Sequence, residues 1–164
     1  MIIIGIDPGT AILGYGIVEY QGNKFRILAY GTITNKTSVP MPEKLTEIYN
    51  KVLGLISEFK PEVLAMEKLF FNNNVTTAMT VSQARGVVTL ASCQTGIEFY
   101  EYTPLQVKQA VVGYGKADKK QVQQMVKIIL NLEKIPQPDD AADALAVAIC
   151  HAHSGIINKM IGRG

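Results

Sequence analysis

The chain has 164 residues, 48% of them apolar, with two cysteines and a formal net charge of +2. That length and apolar content fit one globular domain with a substantial core, and they exclude a disordered chain or a disulfide-stapled miniprotein. The longest apolar run, Ala144 to Cys150, is far too short to span a bilayer, and the N-terminus lacks the basic leader of a signal peptide, so a cytoplasmic protein is expected.

The first element is Ile2-Ile3-Ile4-Gly5-Ile6-Asp7, an apolar β-branched run that reads as a strand covered on both faces. It ends in a carboxylate followed by Pro8-Gly9-Thr10. Asp7 is therefore either a turn residue, which Asp before Pro-Gly commonly is, or a ligand held at a strand end where α/β sheets gather their ligands. Gly14 to Tyr20 and Phe25 to Thr34 are the next strands, around the turn Gln21-Gly22-Asn23. Connections this short make the first three strands antiparallel neighbours.

Pro40 and Pro42 open a helix whose apolar stripe is Leu45, Ile48, Tyr49, Val52, Leu55, Ile56 and Phe59, stopped by Lys60-Pro61. The strand Val63 to Met66 then delivers Glu67 at its C-terminal end. The intervening helix is a crossover long enough to make this strand parallel to the first; if the two lie side by side, Asp7 and Glu67 meet at one edge of the sheet. Leu69 to Asn74 forms an apolar tip on a polar loop. The helix from about Val75 to Gln94 is rich in small residues and shows no clear apolar stripe, which predicts burial on more than one face.

Ile97 to Tyr102 is a further strand, and Thr103-Pro104 caps a short helix that runs to Val111. Asp118 to Leu132 is an amphipathic helix. Asp139-Asp140-Ala141-Ala142-Asp143 opens a last helix, expected to run to about His153. Cys93 and Cys150 both fall in apolar helical patterns and read as small core residues.

Charge is divided unevenly along the chain. Between Pro104 and Lys134, six lysines face only Asp118 and Glu133, a local charge of +4, while the remainder is net −2. Such a segment is either a solvated helix face or the place where a polyanion binds.

Asp140 and Asp143 are three residues apart, so on a helix they share one face, with Cβ atoms roughly 5–6 Å apart. Asp139 stands four residues before Asp143, and spacing does not choose between Asp139 and Asp140. Acids at a helix start complement its dipole, which accounts for one or two of the three, and Asp139 suits the N-cap. Asp143, one turn in and among alanines, is less well explained that way. Two strand-end acids and a helical pair would repel one another without a cation. An all-oxygen set suits Mg²⁺ or Mn²⁺, and two such ions about 3.5–4 Å apart can hydrolyse a phosphodiester.

Several segments in this order resemble the RuvC family of Holliday-junction resolvases: Gly5 to Gly9, Glu67 with Phe70, Gln83-Ala84-Arg85-Gly86, Gln106-Val107-Lys108, Gly113 through Val122, and Asp140 to Leu145. The resemblance extends to about His153. It implies an RNase H-like α/β fold, with a five-stranded mixed sheet (three antiparallel N-terminal strands plus two parallel) flanked by helices. A single nuclease domain would span residues 1–154, with a short C-terminal tail at 155–164. It further implies a Mg²⁺-dependent endodeoxyribonuclease of recombination and repair, a homodimer making paired symmetric nicks in four-way junction DNA, and a branch-migration motor of the RuvA–RuvB type as partner. Carried over by position, the metal-binding catalytic carboxylates are Asp7, Glu67, Asp140 and Asp143, with two Mg²⁺ per site and Mn²⁺ as a substitute. Phe70 would stack on bases near the junction centre. Lys108 and Lys119 would stand by the scissile phosphate, and Lys116 and Lys120 on the DNA backbone. The small-residue helix from Val75 is the expected dimer contact, and His151 and His153 are expected to be structural.

Asp7 to Thr10 also resembles the phosphate loop of the actin, chaperone ATPase and sugar kinase superfamily. Those proteins need two such lobes, and this chain has length for one. A junction-binding protein without catalysis is the third possibility, against which all four acids are present.

Overall fold

The computed structural model describes residues 1–69 and 75–160. Phe70 and residues 161–164 of the expected tail lie outside the described residues. Three strands open the chain: β1 (Ile2–Asp7), β2 (Ile12–Gln21) and β3 (Lys24–Thr34). Gly22 and Asn23, at φ 57° and 61°, make the tight β2–β3 turn in the left-handed region. Helix α1 (Met41–Phe59) follows, then β4 (Val63–Glu67), α2 (Val75–Thr95), β5 (Glu98–Tyr102), α3 (Pro104–Val112), α4 (Lys119–Ile129) and α5 (Asp139–Met160).

The sheet order is β3-β2-β1-β4-β5. β1–β2 and β2–β3 pair antiparallel, while β1–β4 and β4–β5 pair parallel, as loop and crossover lengths required. Alternation along β1 splits the core into two layers. Ile3, Val63 and Ala65 face α3, α4 and α5, and Ile4, Ile6, Leu64 and Met66 face α1 and α2. The α1 stripe buries Ile48, Val52 and Ile56 completely or nearly so.

Capping boxes fix the starts of the two lysine-bearing helices. Thr103 with Gln106 caps α3, and Asp118 with Gln121 caps α4. Helix α5 continues past the expected end at His153 to Met160.

Two expectations from pattern are corrected. Within a single chain helix α2 buries one face only, through Ala78, Ala84, Val88 and Ala91, and leaves Met79 and Leu90 66% and 51% exposed. Cys93 is exposed on that outer side, because the helical period turns it away from Ala84 and Val88, whereas Cys150 is buried in α5.

Glycines set how closely α5 lies on the sheet. A Cβ at Gly5 would stand 2.1 Å from the Ala144 carbonyl oxygen, and one at Gly14 would stand 2.0 Å from that of Asp140. Both obstacles are backbone, so a side chain there forces the helix outward. Gly14→Ala is expected to lower stability by about 1–3 kcal/mol, read from the denaturant midpoint at unchanged slope. An unchanged midpoint would show that α5 does not depend on this close approach.

Candidate active site

Parallel pairing of β1 and β4, with Ile6 opposite Met66, brings Asp7 and Glu67 to the same strand-end edge. Ile6 and Met66 face α1 and α2, so the next residue of each strand turns toward α5. The first turn of α5 arrives there over Gly14, carrying Asp140, with Asp143 one turn further in.

Electrostatics register the convergence. Burial, and then the charges of Asp143, Glu67 and Asp140, push the Asp7 carboxyl up to about 7, against a partial relief from Lys119. Burial and Asp143 also raise Glu67, which Lys108, Arg85 and Lys119 hold back. Asp143 is raised by burial and relieved by Lys119. These carboxyls are short of positive charge.

Lys119 supplies part of it. Its Nζ stands 3.0 Å from Asp143 Oδ2 and 3.3 Å from Asp139 Oδ2. Asp139 lies within the first turn, where an N-cap had been expected, and its exposed carboxylate is engaged by that lysine. Asp140, in contrast, acts on Asp7. A cleft of about 200 Å³ is lined by Glu67, Asp143, Lys108 and Lys119, over a floor that includes Val107 and Val122. A second cleft shares Glu67 and Pro104 with it and contains Asp7 and Arg85.

The other basic candidates stand apart. Lys116 lies exposed on the α3–α4 connection, and Lys120 borders a separate groove beside Asp118 and Gln124. His151 and His153 are engaged elsewhere, His151 Nδ1 with the Tyr102 hydroxyl at 2.8 Å and His153 Nδ1 with the Ala110 carbonyl at 2.9 Å.

The donor set is all carboxylate oxygen, half-buried and mutually repelling, which is the chemistry a hard divalent cation satisfies. Among the described residues no three such acids stand close enough to grip an ion as placed.

The family model for crossover junction endodeoxyribonuclease RuvC matches residues 3–151. This chain belongs to the RuvC family. A relative from Alkaliphilus metalliredigens, a crossover junction endodeoxyribonuclease RuvC, is 65% identical over 155 residues, covering 94% of each chain. The solved structure of Thermus thermophilus RuvC superimposes with a TM-score of 0.91 at 38% identity, covering 96% of this chain and 97% of that one. The T. thermophilus RuvC complex with a Holliday junction substrate gives 0.88 at 36% identity, covering 96% of both. The kinase-like reading of Asp7 to Thr10 gives way to RuvC membership across nearly the whole chain. The five-stranded mixed sheet and its flanking helices are the expected architecture of RuvC and other RNase H-like resolvases.

Two contacts of the site have no counterpart in the sequence reading. Lys119, expected beside the scissile phosphate, also pairs with Asp143 and Asp139. Arg85 was noted only within a motif, although it reaches the backbone carbonyl of Glu67. Neither contact has a local signature, because the partners come from different elements. Among the described residues, no helix is long and apolar enough to cross a membrane.

Proposed function

We propose that this chain resolves four-way DNA junctions in the cytoplasm by hydrolysing phosphodiesters at the edge formed by Asp7, Glu67, Asp140 and Asp143. The observation that carries the reading is Asp7, half-buried at a strand end among three other acids and raised to about 7. These four carboxylates would hold divalent cations, Mg²⁺ by preference with Mn²⁺ as substitute, two per site. Such ions supply an activated water and stabilise the leaving oxygen.

The chain's own groups do the rest. Lys108 and Lys119 flank Glu67 and Asp143 across the cleft, where fixed positive charge would draw a phosphate in and offset charge developing on its oxygens. Exposed Lys116, on the α3–α4 connection, and Lys120, at the start of α4, extend the basic surface and would hold the DNA backbone without reading sequence. Phe70 would stack on a base at the junction centre.

A second copy is the natural cover for the outer face of α2, where Met79 and Leu90 are exposed beside Ser82 and Gly86. An isologous pair would place two clefts on a pseudo-symmetric junction for paired nicks. A branch-migration motor of the RuvA–RuvB type would then deliver the junction.

The test is a mobile four-way junction incubated with the purified chain, with Mg²⁺ or with EDTA. Symmetric paired nicks are expected with Mg²⁺, none with EDTA, and linear duplex should stay largely intact. Junction binding should survive EDTA and fall steeply with salt. Cleavage in EDTA would overturn the metal assignment, and binding without cleavage in either condition would leave a junction-binding protein.

A further inference from the structure

Arg85 sits in the middle of α2, and its side chain is only 14% exposed. A guanidinium this far withdrawn from water needs partners. It has two, at divergent positions. One Nη donates to the backbone carbonyl of Glu67, and the other pairs with the Glu101 carboxylate. Glu101 lies opposite Met66 in the β4–β5 register, so it shares the sheet face of α1 and α2, away from the face toward which Glu67 turns. Glu67 is the last residue of β4, with the Lys68 N–H bonded to the Tyr102 carbonyl at 2.7 Å just beyond it, and Arg85 clamps its peptide from α2.

We propose that Arg85 is a positioning residue for Glu67: its fork ties the terminal peptide of β4 to β5 and to α2, so that the Glu67 carboxylate is held where it joins the other three acids. The inference rests on the reading of those acids as an ion site. Through the same fork Arg85 occupies Glu101, a fifth carboxylate on the neighbouring strand, and keeps it paired on the far side of the sheet. A lysine would preserve the charge but present a single point donor, and so would not serve both partners in that geometry. Arg85 also lines the cleft that holds Asp7 and Glu67, which makes the clamp part of the wall of the site.

The experiment compares the full-length wild type with R85K, with the double variant R85Q/E101Q, and with D7N. Three readouts are taken: thermal midpoint, junction binding in EDTA, and Mn²⁺ affinity without DNA by electron paramagnetic resonance of the free ion. For R85K and for R85Q/E101Q, Mn²⁺ affinity is expected to fall about tenfold or more. Junction binding should stay at the wild-type level in both. The double variant removes both members of the ion pair, so it leaves no unpaired partly buried acid to unfold the chain and reports on the Glu67 contact alone. Wild-type Mn²⁺ affinity in R85Q/E101Q would overturn the inference and reduce Arg85 to a counter-ion for Glu101. A fall in thermal midpoint with no change in Mn²⁺ affinity would overturn it too, leaving a purely structural arginine. D7N separates this from the underlying reading: if wild type and D7N bind Mn²⁺ alike, the four-acid ion site itself fails, and the role of Arg85 goes with it.

Discussion

Asp7→Asn is expected to reduce junction cleavage by at least about a thousandfold while leaving junction binding intact. The substitution keeps shape and burial and removes only the charge. The basic surface that would hold DNA is carried by α3, α4 and their connection, so binding has no reason to follow cleavage. A second readout tests the physical cause. Asp7 rises from 3.8 to about 7 on folding, through burial and three neighbouring acids. Between those pH values the folded state holds a proton that the unfolded state has lost, so stability falls as pH rises through the window. Removing the group removes that slope. In EDTA at about pH 8 the variant should be more stable than wild type by about 1–4 kcal/mol, the gap closing toward about pH 4. Added Mg²⁺ should stabilise wild type far more than D7N. Undiminished cleavage, or a stability gap independent of pH, would overturn the assignment of Asp7.

Lys119→Ala is expected to slow cleavage about a hundredfold. Lys119 touches Asp143 and Asp139 and lowers the carboxyls of Asp7, Glu67 and Asp143, so it serves the acids as well as a phosphate. Losing it pushes those groups further up, and the acid limb of the pH–rate profile should move to higher pH. Stability should change little, because the lysine is 53% exposed and its ion pairs are screened by water. Single-turnover cleavage of saturating junction, followed from roughly pH 6 to 9, checks both parts. A reduced rate with an unmoved acid limb would assign Lys119 to the phosphate alone.

What local chemistry encodes was legible along the chain. The Ile2–Ile6 run required a doubly covered strand, and an uninterrupted apolar run ending in Asp put a carboxylate at its end. Loop lengths decided antiparallel from parallel pairing, and the 3.6-residue stripe of α1 named the residues that are buried. Thr103 announced the cap of α3, which the structure completes as a capping box with Gln106.

Where two elements meet, the sequence left alternatives. It did not show which side of α2 faces the sheet, because small residues on both sides give no stripe; the packed structure buries Ala84 and Val88 and turns Cys93 outward. Nor did spacing separate Asp139 from Asp140, since both lie on the face of Asp143. The family resemblance chose Asp140, and the seating of α5 over Gly5 and Gly14 is what puts Asp140 near Asp7 and leaves Asp139 to Lys119. The clamp from Arg85 to Glu67 and Glu101 spans 18 and 16 positions of sequence, which no period records. The sequence by itself determined the elements, the antiparallel pairing of the first three strands and the acids at the strand and helix ends, because these follow from short-range periodicity and loop length. The tertiary structure decided which charges face one another and what holds them there, because that depends on strand register and on how closely a helix can approach a sheet that lacks side chains at two glycines.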